Sequence, residues 1–573
     1  MKSLGVKKFH SLLLVSSISI VLNIIALLSD TVVAAYLDVV ENEGALAAIT
    51  IAAPIISIMS CVSSMLSFGV EFFYNKALGE ENKKHAYEIF GMGLITSIFT
   101  GIAIFIIAKY GMNLYLNFLN PDDEVKFHFH EYFRYFQFVL LITPLSDFLN
   151  DMVYNDGDEI TANCSNLMNI FGNIILSVMF AFYFEMEMSG IALGTLLKEI
   201  FSILILLCHF FRKTNSIHLR IYFKFKQLLQ FFKYGFVNSG MFLSLGILAF
   251  MMNKIVIAFY GSFYLSVLTI AFSLIEIAMV LDGVSMAMFP VMDVYYNEGN
   301  SPAVRKIIKS ALKISIFEGI IFSIILFVFA EEIAVAFDID NPELLKHSAN
   351  AIKIISSTMI FLSLKYFFDT YYTIVGKIFI SLMINSIGDL IFVPLISFSL
   401  LFSENINGIW IGFALSPVFT LILCVLILKI FYKDGNFPFY LNDEKNVADF
   451  DLELSPENIR GVMDKAEKFL LDNGFSKKII NKILFTIEEA GMLIYEKNRG
   501  KKILAEYTLF LEPERVKIII SDNGKVFDIT NEDTEIKSFG SYIFSLVVPK
   551  VSHQKKYLTA TSLNKNIFYI DRN

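Results

Sequence analysis

A single acidic residue interrupts a long apolar run near the start of the chain. The run from Val21 to Tyr36, VLNIIALLSDTVVAAY, contains one charged side chain, Asp30. A charge inside a membrane span costs about 2.5 kcal/mol or more, so such a residue marks either a functional site or a polar contact between helices. Because a carboxyl group can take up and release a proton, Asp30 is our first candidate for coupling ion movement to transport.

Further charged residues lie in apolar segments later in the chain. Asp147 and Asp151 are four residues apart, as are Lys365 and Asp369, so each pair lies on one face of a helix. Glu276 lies deep within another apolar segment. Acids in excess over lysine predict a net negative cavity that suits a cationic substrate or ion. In the alternative, Lys365 and Asp369 form a neutral pair within their helix and have a structural role.

The composition is that of a membrane protein with a polar tail. Of 573 residues, 55% are hydrophobic and 18% charged, with a mean hydropathy of +0.60, which excludes an ordinary soluble protein. The net charge of -8 argues against a nucleic-acid partner. The four cysteines lie in apolar stretches without paired spacing, which predicts reduced thiols and no metal centre. No cleavable signal peptide is expected, since the first apolar segment lacks a small-residue cleavage site.

Long helices must carry these residues. Apolar stretches of about 20 residues or more predict twelve membrane spans. Their approximate ranges are 10–37, 44–73, 87–109, 130–155, 161–184, 188–212, 229–260, 264–297, 306–331, 347–375, 378–402 and 406–432. Lys198 and Glu199 are adjacent in the sixth span and can neutralise each other, so we assign them no role. Basic residues concentrate in alternate loops, which predicts by the positive-inside rule that both termini and the tail are cytoplasmic.

The apolar part of the chain repeats itself. The segment from Val62 to Gly79 resembles the segment from Val284 to Gly299. At an offset near 218 residues, Gly157 matches Gly376, Asn169 matches Asn385, Asn173 matches Asp389 and Gly190 matches Gly408. We therefore predict an all-α membrane domain of two six-helix lobes, residues 1–222 and 223–433. Parallel repeats of this kind place a substrate path between two bundles that rock against each other.

Several motifs carry a family resemblance over residues 10–432. Asp30-Thr31-Val32-Val33, the run from Ala45 to Ile49, and Pro54 stand in an order that resembles the opening of the multidrug and toxic compound extrusion (MATE) family. Asn253, Pro290 and Gly408 agree in the second half. The resemblance implies a two-lobed antiporter that expels amphipathic, usually cationic, organic molecules in exchange for protons or sodium ions.

The resemblance also implies a coupling cluster in the first lobe. By position its members are Asp30, Asn169, Asn173 and Thr195. Asn169 and Asn173 are one helical turn apart, so we expect both to point at Asp30. Asn173 stands where the family often has an acid, and with one carboxylate a tight sodium site is less favoured than a proton site. Asp147, Asp151, Glu276, Lys365 and Asp369 are the candidates for the substrate cavity.

The tail resembles a different family. After the linker 434–445, residues 446–573 have a strand and helix order that is similar to the GHKL-type ATPase domain of anti-sigma-factor serine kinases, an α/β sandwich. Glu488-Glu489-Ala490, Asp522-Asn523-Gly524 and Phe539-Gly540 carry the resemblance. It implies that Asp522 reads adenine, that Gly524 and Gly540 admit the nucleotide, and that Glu489 is the acid of the helix.

The tail departs from that pattern at its metal ligand. Leu493 stands where the family has the asparagine that holds magnesium, and Val526 stands where it has a second glycine. General-base chemistry by Glu489 needs a phosphate clamped by a metal. We therefore expect a domain that keeps the fold, has lost hydrolysis and regulates or binds a partner, with ATP binding as a minor alternative.

Together these observations predict a transporter of a bacterial inner membrane and not an enzyme. We expect proton-coupled, or otherwise sodium-coupled, efflux of organic cations, with no required cofactor or metal. The tail is expected to regulate transport or to bind a cytoplasmic protein. One alternative is a membrane-anchored signalling protein whose tail binds a regulatory partner. A lipid-linked saccharide flippase is less favoured, since it would need a basic cavity for pyrophosphate.

Overall fold

The computed structural model describes residues 3–40, 44–79, 82–212, 215, 217–222, 224–337, 341–400, 406–431, 439, 446–525, 551–552 and 563–572. Up to residue 431 the described chain is helical, and a small sheet with two helices follows. Ten helices are long and apolar enough to cross a membrane, or eleven if one bent pair counts as a single span.

The first lobe contains seven helices. They are α1 (Leu4–Val40), α2 (Ala45–Gly79), α3 (Lys83–Leu119), α4 (Asp123–Asn155), α5 (Glu159–Leu167), α6 (Asn173–Val178) and α7 (Glu187–Leu207). A π-helical turn, Met168–Gly172, joins α5 to α6. π-Helical turns are frequent at functional sites because they rotate the side chains that follow them. The predicted fourth span corresponds to α4. This helix is not apolar enough to be counted with the membrane-spanning helices of the described chain, because it carries acidic and other polar residues.

The second lobe repeats this arrangement with more breaks. Its helices are α8 (Phe225–Tyr260), α9 (Leu265–Ala278), α10 (Gly283–Asn297), α11 (Ser301–Val328), α12 (Ala330–Ala336), α13 (Pro342–Ser356), α14 (Met359–Ile374), α15 (Ile378–Leu382), α16 (Gly388–Leu400) and α17 (Asn407–Phe431). A π-helical turn, Met383–Ile387, joins α15 to α16 as its counterpart joins α5 to α6. A 3-10 turn, Met279–Asp282, separates α9 from α10. The α13 and α14 axes differ by 50°.

The lobes meet along α2 and α8, where glycine permits backbone contact. A Cβ atom at Gly69 would lie 2.1 Å from the carbonyl oxygen of Phe231, and one at Gly235 would lie 1.8 Å from that of Met65. Further along the same pair, the Asn253 side chain donates to the Thr50 carbonyl oxygen at 2.9 Å. Small residues at helix crossings allow the two helix backbones to approach each other closely. This seam therefore holds the two lobes at close range.

The tail forms one antiparallel sheet with two helices on one face. Its elements are β1 (Val447–Glu453), α18 (Pro456–Asp472), α19 (Lys477–Lys497), β2 (Leu504–Leu511), β3 (Arg515–Asp522), β4 (Val551–Ser552) and β5 (Asn564–Asp571). The strand order is β1-β2-β3-β5-β4. Ile459 and Ile487 of the helices share a core with Tyr507 and Phe568 of the sheet. The predicted helix from Phe539 to Lys550 lies outside the described residues.

The opposite face of β1 and β2 is polar. Asp449 lies opposite Thr508 and Asp451 opposite Glu506 in the strand register. Since side chains alternate along a strand, these four residues share one face of the sheet. That face lies against the first residues of α1 and the junction of α10 and α11. The tail is therefore docked on the membrane domain through polar side chains.

Candidate functional site

The Asp30 carboxylate lies where α1, α4, α6 and α7 meet. Asn173 donates to one carboxylate oxygen at 2.9 Å, and Thr195 lies 3.0 Å from the other. The Tyr132 hydroxyl stands 3.5 Å from that second oxygen. Asn173, Thr195 and Tyr132 are buried, whereas Asp30 keeps partial exposure. Each oxygen of the Asp30 carboxylate is therefore held by a neutral donor from another helix.

The Thr195 hydroxyl has three acceptors for one proton. It lies 3.0 Å from Asp30, 3.0 Å from the Asn173 side-chain oxygen and 3.1 Å from the Ile191 carbonyl oxygen. A hydroxyl donates one hydrogen bond at a time. When Asp30 is ionised, donation to its carboxylate is favoured, because bonds to charged acceptors are stronger. Protonation of Asp30 removes that preference, so the hydrogen bonds of α6 and α7 depend on the state of one carboxyl group.

The structure does not join Asn169 to this cluster, contrary to our prediction. Its Oδ1 atom is buried and has no hydrogen-bond partner among the described residues. Asn169 lies inside the π-helical turn Met168–Gly172, whereas Asn173 begins α6, so the two residues are not joined by a regular α-helical turn. Ser29, which accepts from Asn173 at 2.5 Å, takes a place in the cluster that spacing alone did not indicate.

Acidic groups continue from Asp30 through the first lobe. The Lys198 ammonium lies 2.8 Å from the Glu199 carboxylate, and its charge also interacts with those of Asp30 and Asp147. The Asp147 charge interacts in turn with that of Asp151, and the Asp151 charge with that of Glu71 on α2. Both predicted acids of α4 thus belong to one electrostatic group with the adjacent pair of α7. Glu71 was missed, since it stands alone on its helix.

The second lobe pairs its charges differently from our alternative prediction. Lys365 forms an ion pair with Asp389 of α16, and the Ser416 hydroxyl donates to the same carboxylate at 2.7 Å. Asp369 instead accepts from the Ser381 hydroxyl. The alternative of a neutral pair between Lys365 and Asp369 within one helix is therefore wrong. Lys365 instead joins α14 to α16 through Asp389.

Glu276 lies apart from this pair. It stands near the end of α9, one turn before the 3-10 turn Met279–Asp282, and it is partly buried. No hydrogen bond or ion pair to its carboxylate occurs within the described parts of the chain. The 3-10 turn ends at Asp282, and α10 begins at Gly283.

Comparison with known proteins identifies the family. The family model MatE matches residues 13–183 and 240–398, which is more than half of the chain. The chain belongs to the MatE family. Both matched ranges lie within the helical lobes, and the tail falls outside them. Asp30, Tyr132, Asn173 and the pair of Lys365 with Asp389 therefore lie within the matched ranges, whereas Thr195 lies between them.

Individual relatives are distant. The chain is 21% identical over 238 residues to the multidrug export protein MepA of Staphylococcus saprophyticus and 20% identical over 285 residues to that of Staphylococcus aureus. The matched region covers 40% and 48% of this chain, and 52% and 62% of those proteins. The chain thus spans between half and two thirds of the curated relatives that it matches.

Solved MatE structures share the fold over most of their length. An inward-facing multidrug resistance MATE family transporter has a TM-score of 0.66 at 17% identity, covering 72% of this chain and 96% of that one. An outward-facing one has a TM-score of 0.58 at 18% identity, covering 74% and 95%. A MOP superfamily transporter from Pyrococcus furiosus gives 0.58 at 19%, covering 74% and 95%. The helical membrane domain therefore has the fold of a MATE transporter.

The predicted nucleotide residues of the tail serve the sheet in this structure. Asp522 accepts hydrogen bonds from the Gly524 amide at 2.8 Å and from the Asn564 side chain at 2.9 Å. Burial raises the pKa of Asp522 to about 6. Glu489 is partly buried on α19, away from these bonds, and Gly540 lies outside the described residues. The Asp522 carboxylate thus fixes the turn after β3 with an amide from β5, and the likeness to an ATPase stays a prediction.

The tail contacts the membrane domain through a cluster that we call the clasp: Asp449, Asp451 and Glu506 of the sheet with Tyr295, Asn300 and Lys306. The Lys306 ammonium lies 2.7 Å from each of the two aspartates. The Tyr295 hydroxyl donates to Glu506 at 2.6 Å, and the Asn300 amide donates to Thr508 at 3.1 Å.

The three carboxylates of the clasp lie close enough to share a cation, and Lys306 supplies a positive charge. Burial and the neighbouring Asp449 hold the pKa of Glu506 well above its usual range. Docking therefore favours the protonated form of Glu506. The backbone amide of Leu4 also donates to Asp451 at 3.0 Å, so the clasp reaches the start of α1.

Proposed function

We propose that this chain is a secondary active exporter of amphipathic organic cations that exchanges them for protons. Membership in the MatE family supports transport, and two relatives bear the name multidrug export protein. The observation that carries the proposal is the Asp30 carboxylate. It is partly exposed, lies at the junction of α1, α4, α6 and α7, and has a neutral donor on each oxygen.

The cluster supports alternating access through its hydrogen bonds. An ionised Asp30 holds Asn173 and Thr195, which belong to two different helices, and attracts a cationic substrate. A proton that enters from outside converts the same group into a neutral donor, so both bonds weaken and the cation is released. Loss of the proton inside restores the first state. The two states differ in contacts across α1, α6 and α7, which is what a rocking transporter requires.

Proton coupling is favoured over sodium coupling by the ligands and by charge. A sodium or other hard cation prefers several oxygen ligands with more than one negative charge. Here Asn173 stands at the position where a second acid would serve, and the positive charge of Lys198 interacts with Asp30. The Lys198 ammonium would repel a bound metal cation. A proton that binds the Asp30 carboxylate instead forms a neutral carboxyl group.

The test is the variant Asp30→Asn in sealed vesicles. We expect it to insert normally and to lose ethidium efflux driven by a pH gradient, because an amide cannot exchange the proton. Asp123→Asn is the matched control, since the Asp123 side chain is 99% exposed. Separate proton and sodium gradients identify the coupling ion. Full efflux by Asp30→Asn under a pH gradient would remove Asp30 from the mechanism.

We further propose that the tail regulates transport in cis. The clasp contacts the start of α1 and the junction of α10 and α11, so it ties together helix ends from both lobes. Rocking requires these ends to separate or shift. The same contacts favour regulation over the membrane-anchored signalling alternative, because the polar face of β1 and β2 is covered by the membrane domain and is not free for a separate partner.

A further inference from the structure

The two lobes distribute their buried lysines in opposite ways. At the repeat offset of 218 residues, Asp147 of α4 corresponds to Lys365 of α14, and Lys198 of α7 corresponds to Ser416 of α17. Packing supports the alignment of α7 with α17, because Gly194 and Gly412, which are 218 residues apart, each lie against a serine of the preceding helix. Each lobe therefore contains one lysine near the junction of its fifth and sixth spans, but on a different helix.

In the second lobe the lysine has a fixed partner. Lys365 is 3% exposed and is paired with Asp389, the counterpart of Asn173. Ser416 occupies another oxygen of the same carboxylate. No second acid is needed to neutralise this lysine. In the second lobe, the place that corresponds to the coupling cluster of the first lobe is therefore occupied by the Lys365 ammonium.

In the first lobe the lysine has several partners and no exclusive one. The Lys198 side chain is 16% exposed and lies 2.8 Å from Glu199, its neighbour in sequence. Lys198 lies about one turn after Thr195 on α7, and the Thr195 hydroxyl is 3.0 Å from Asp30, so the ammonium charge also acts on Asp30 and on Asp147 of α4. The second oxygen of the Glu199 carboxylate is buried and has no partner in the described parts of the chain. One ammonium thus stands among three carboxylates and cannot neutralise them all.

We propose that Lys198 is a tethered counter-ion of Asp30, which competes with the transported proton and with the cationic substrate for that carboxylate. This inference rests on the proposed role of Asp30. When Asp30 is ionised and empty, the ammonium is drawn toward it. When Asp30 carries a proton, or faces a substrate cation, the ammonium stays with Glu199 and Asp147. Lys198 remains protonated throughout, so the proton that binds Asp30 is the one that is exchanged.

The charged and titratable groups around this switch come from each neighbouring helix. They are Asp30 on α1, Glu71 on α2, Tyr132, Asp147 and Asp151 on α4, and Glu199 on α7. A neighbouring cation favours the ionised form of a carboxyl group by one to three pKa units. Glu199 opposes this effect at Asp30, because it holds the ammonium on its own side. Lys198 and Glu199 should therefore shift the pH midpoint of proton-coupled efflux in opposite directions.

The test measures the pH at half-maximal efflux in proteoliposomes for four chains. Glu199→Gln frees the ammonium for Asp30, so we expect its midpoint to fall below that of the unmodified protein. The double variant Lys198→Met/Glu199→Gln removes the pair without leaving a buried unpaired carboxylate, and its midpoint should rise by about one pH unit. Lys198→Arg keeps the charge and should stay within a few tenths of a unit of the unmodified midpoint.

The outcomes separate this inference from the proposed function. Opposite shifts of the midpoint support the counter-ion role, since a merely structural pair would lower the rate without moving the midpoint in two directions. Equal midpoints in all four chains would overturn the role of Lys198 while efflux that needs Asp30 is retained. If the unmodified protein shows no proton-driven efflux, the proposed function itself fails. If the double variant does not insert, the direction of the Glu199→Gln shift decides.

Discussion

Removal of the Lys306 charge gives the sharpest test of the docked tail. The ammonium lies 2.7 Å from both Asp449 and Asp451, and the Asp449 side chain is fully buried. Lys306→Met keeps most of the apolar length of the side chain and removes only its charge. Asp449 and Asp451 would then stand next to Glu506 without the cation that now separates them. The docked state should therefore lose stability relative to the undocked state.

The magnitude follows from the burial of the partners. Removing one member of a buried ion pair costs about 3–5 kcal/mol. Because the Lys306 side chain is 39% exposed, water screens part of the interaction and we expect the lower end, about 3 kcal/mol. Since 1.4 kcal/mol corresponds to a factor of ten, the docking equilibrium should shift by roughly 150-fold.

Hydrogen–deuterium exchange of the full chain in lipid nanodiscs measures this shift. Peptides that cover β1 and the junction of α10 and α11 should exchange faster in Lys306→Met, while the core of α19 should not change. Lys309→Met is the matched control, since Lys309 is exposed on the same helix. Equal exchange in both variants would refute the stabilising role of the clasp. Faster exchange with unchanged efflux would refute regulation but leave docking intact.

Two further predictions concern single carboxylates. The pKa of Glu506 lies above its ordinary value in the docked tail, so docking is coupled to proton uptake. Docking should therefore be strongest at low pH and weaken as the pH rises through the docked pKa. Glu506→Gln should remove this pH dependence, which hydrogen–deuterium exchange at pH 6 and pH 8 would detect. Asp389→Asn leaves Lys365 buried without its ionic partner and should lower the stability of the protein by about 3 kcal/mol. The measurement is the melting temperature in detergent, which should fall. Asp369→Asn is the control and should cost less, because the Asp369 carboxylate contacts a serine and not a lysine.

Part of the site was predictable because its residues follow simple spacing. A lone acid in an apolar run identified Asp30, and the matched positions of the family indicated Asn173 and Thr195, which the structure places within 3.0 Å of its oxygens. The structure does not place Asn169 in the Asp30 cluster; this residue lies in a π-helical turn, which hydrophobic periodicity does not reveal. Tyr132 was missed because a tyrosine in an aromatic-rich helix gives no signal that distinguishes it from core packing.

The docking of the tail was beyond the reach of sequence reasoning. The alternation of VADFDLE indicates a strand with one polar face, and this strand is present. A polar face ordinarily indicates contact with water. Its actual partners, Asn300 and Lys306, lie more than 140 residues away in the chain, and nothing in their local pattern indicates a partner. Contacts between separately folding parts depend on surfaces that periodicity does not describe.

The charge distribution suggests why two similar lobes would do different work. In the second lobe, Lys365 and Asp389 form an ion pair between two helices. The first lobe has the neutral Asn173 in place of that acid and receives its carboxylate from α1 instead. Under the proposed mechanism, its lysine is shared among three acids, and the state of Asp30 decides where the ammonium stands. We therefore expect proton exchange in the first lobe, on the helix whose first residues also contact the tail.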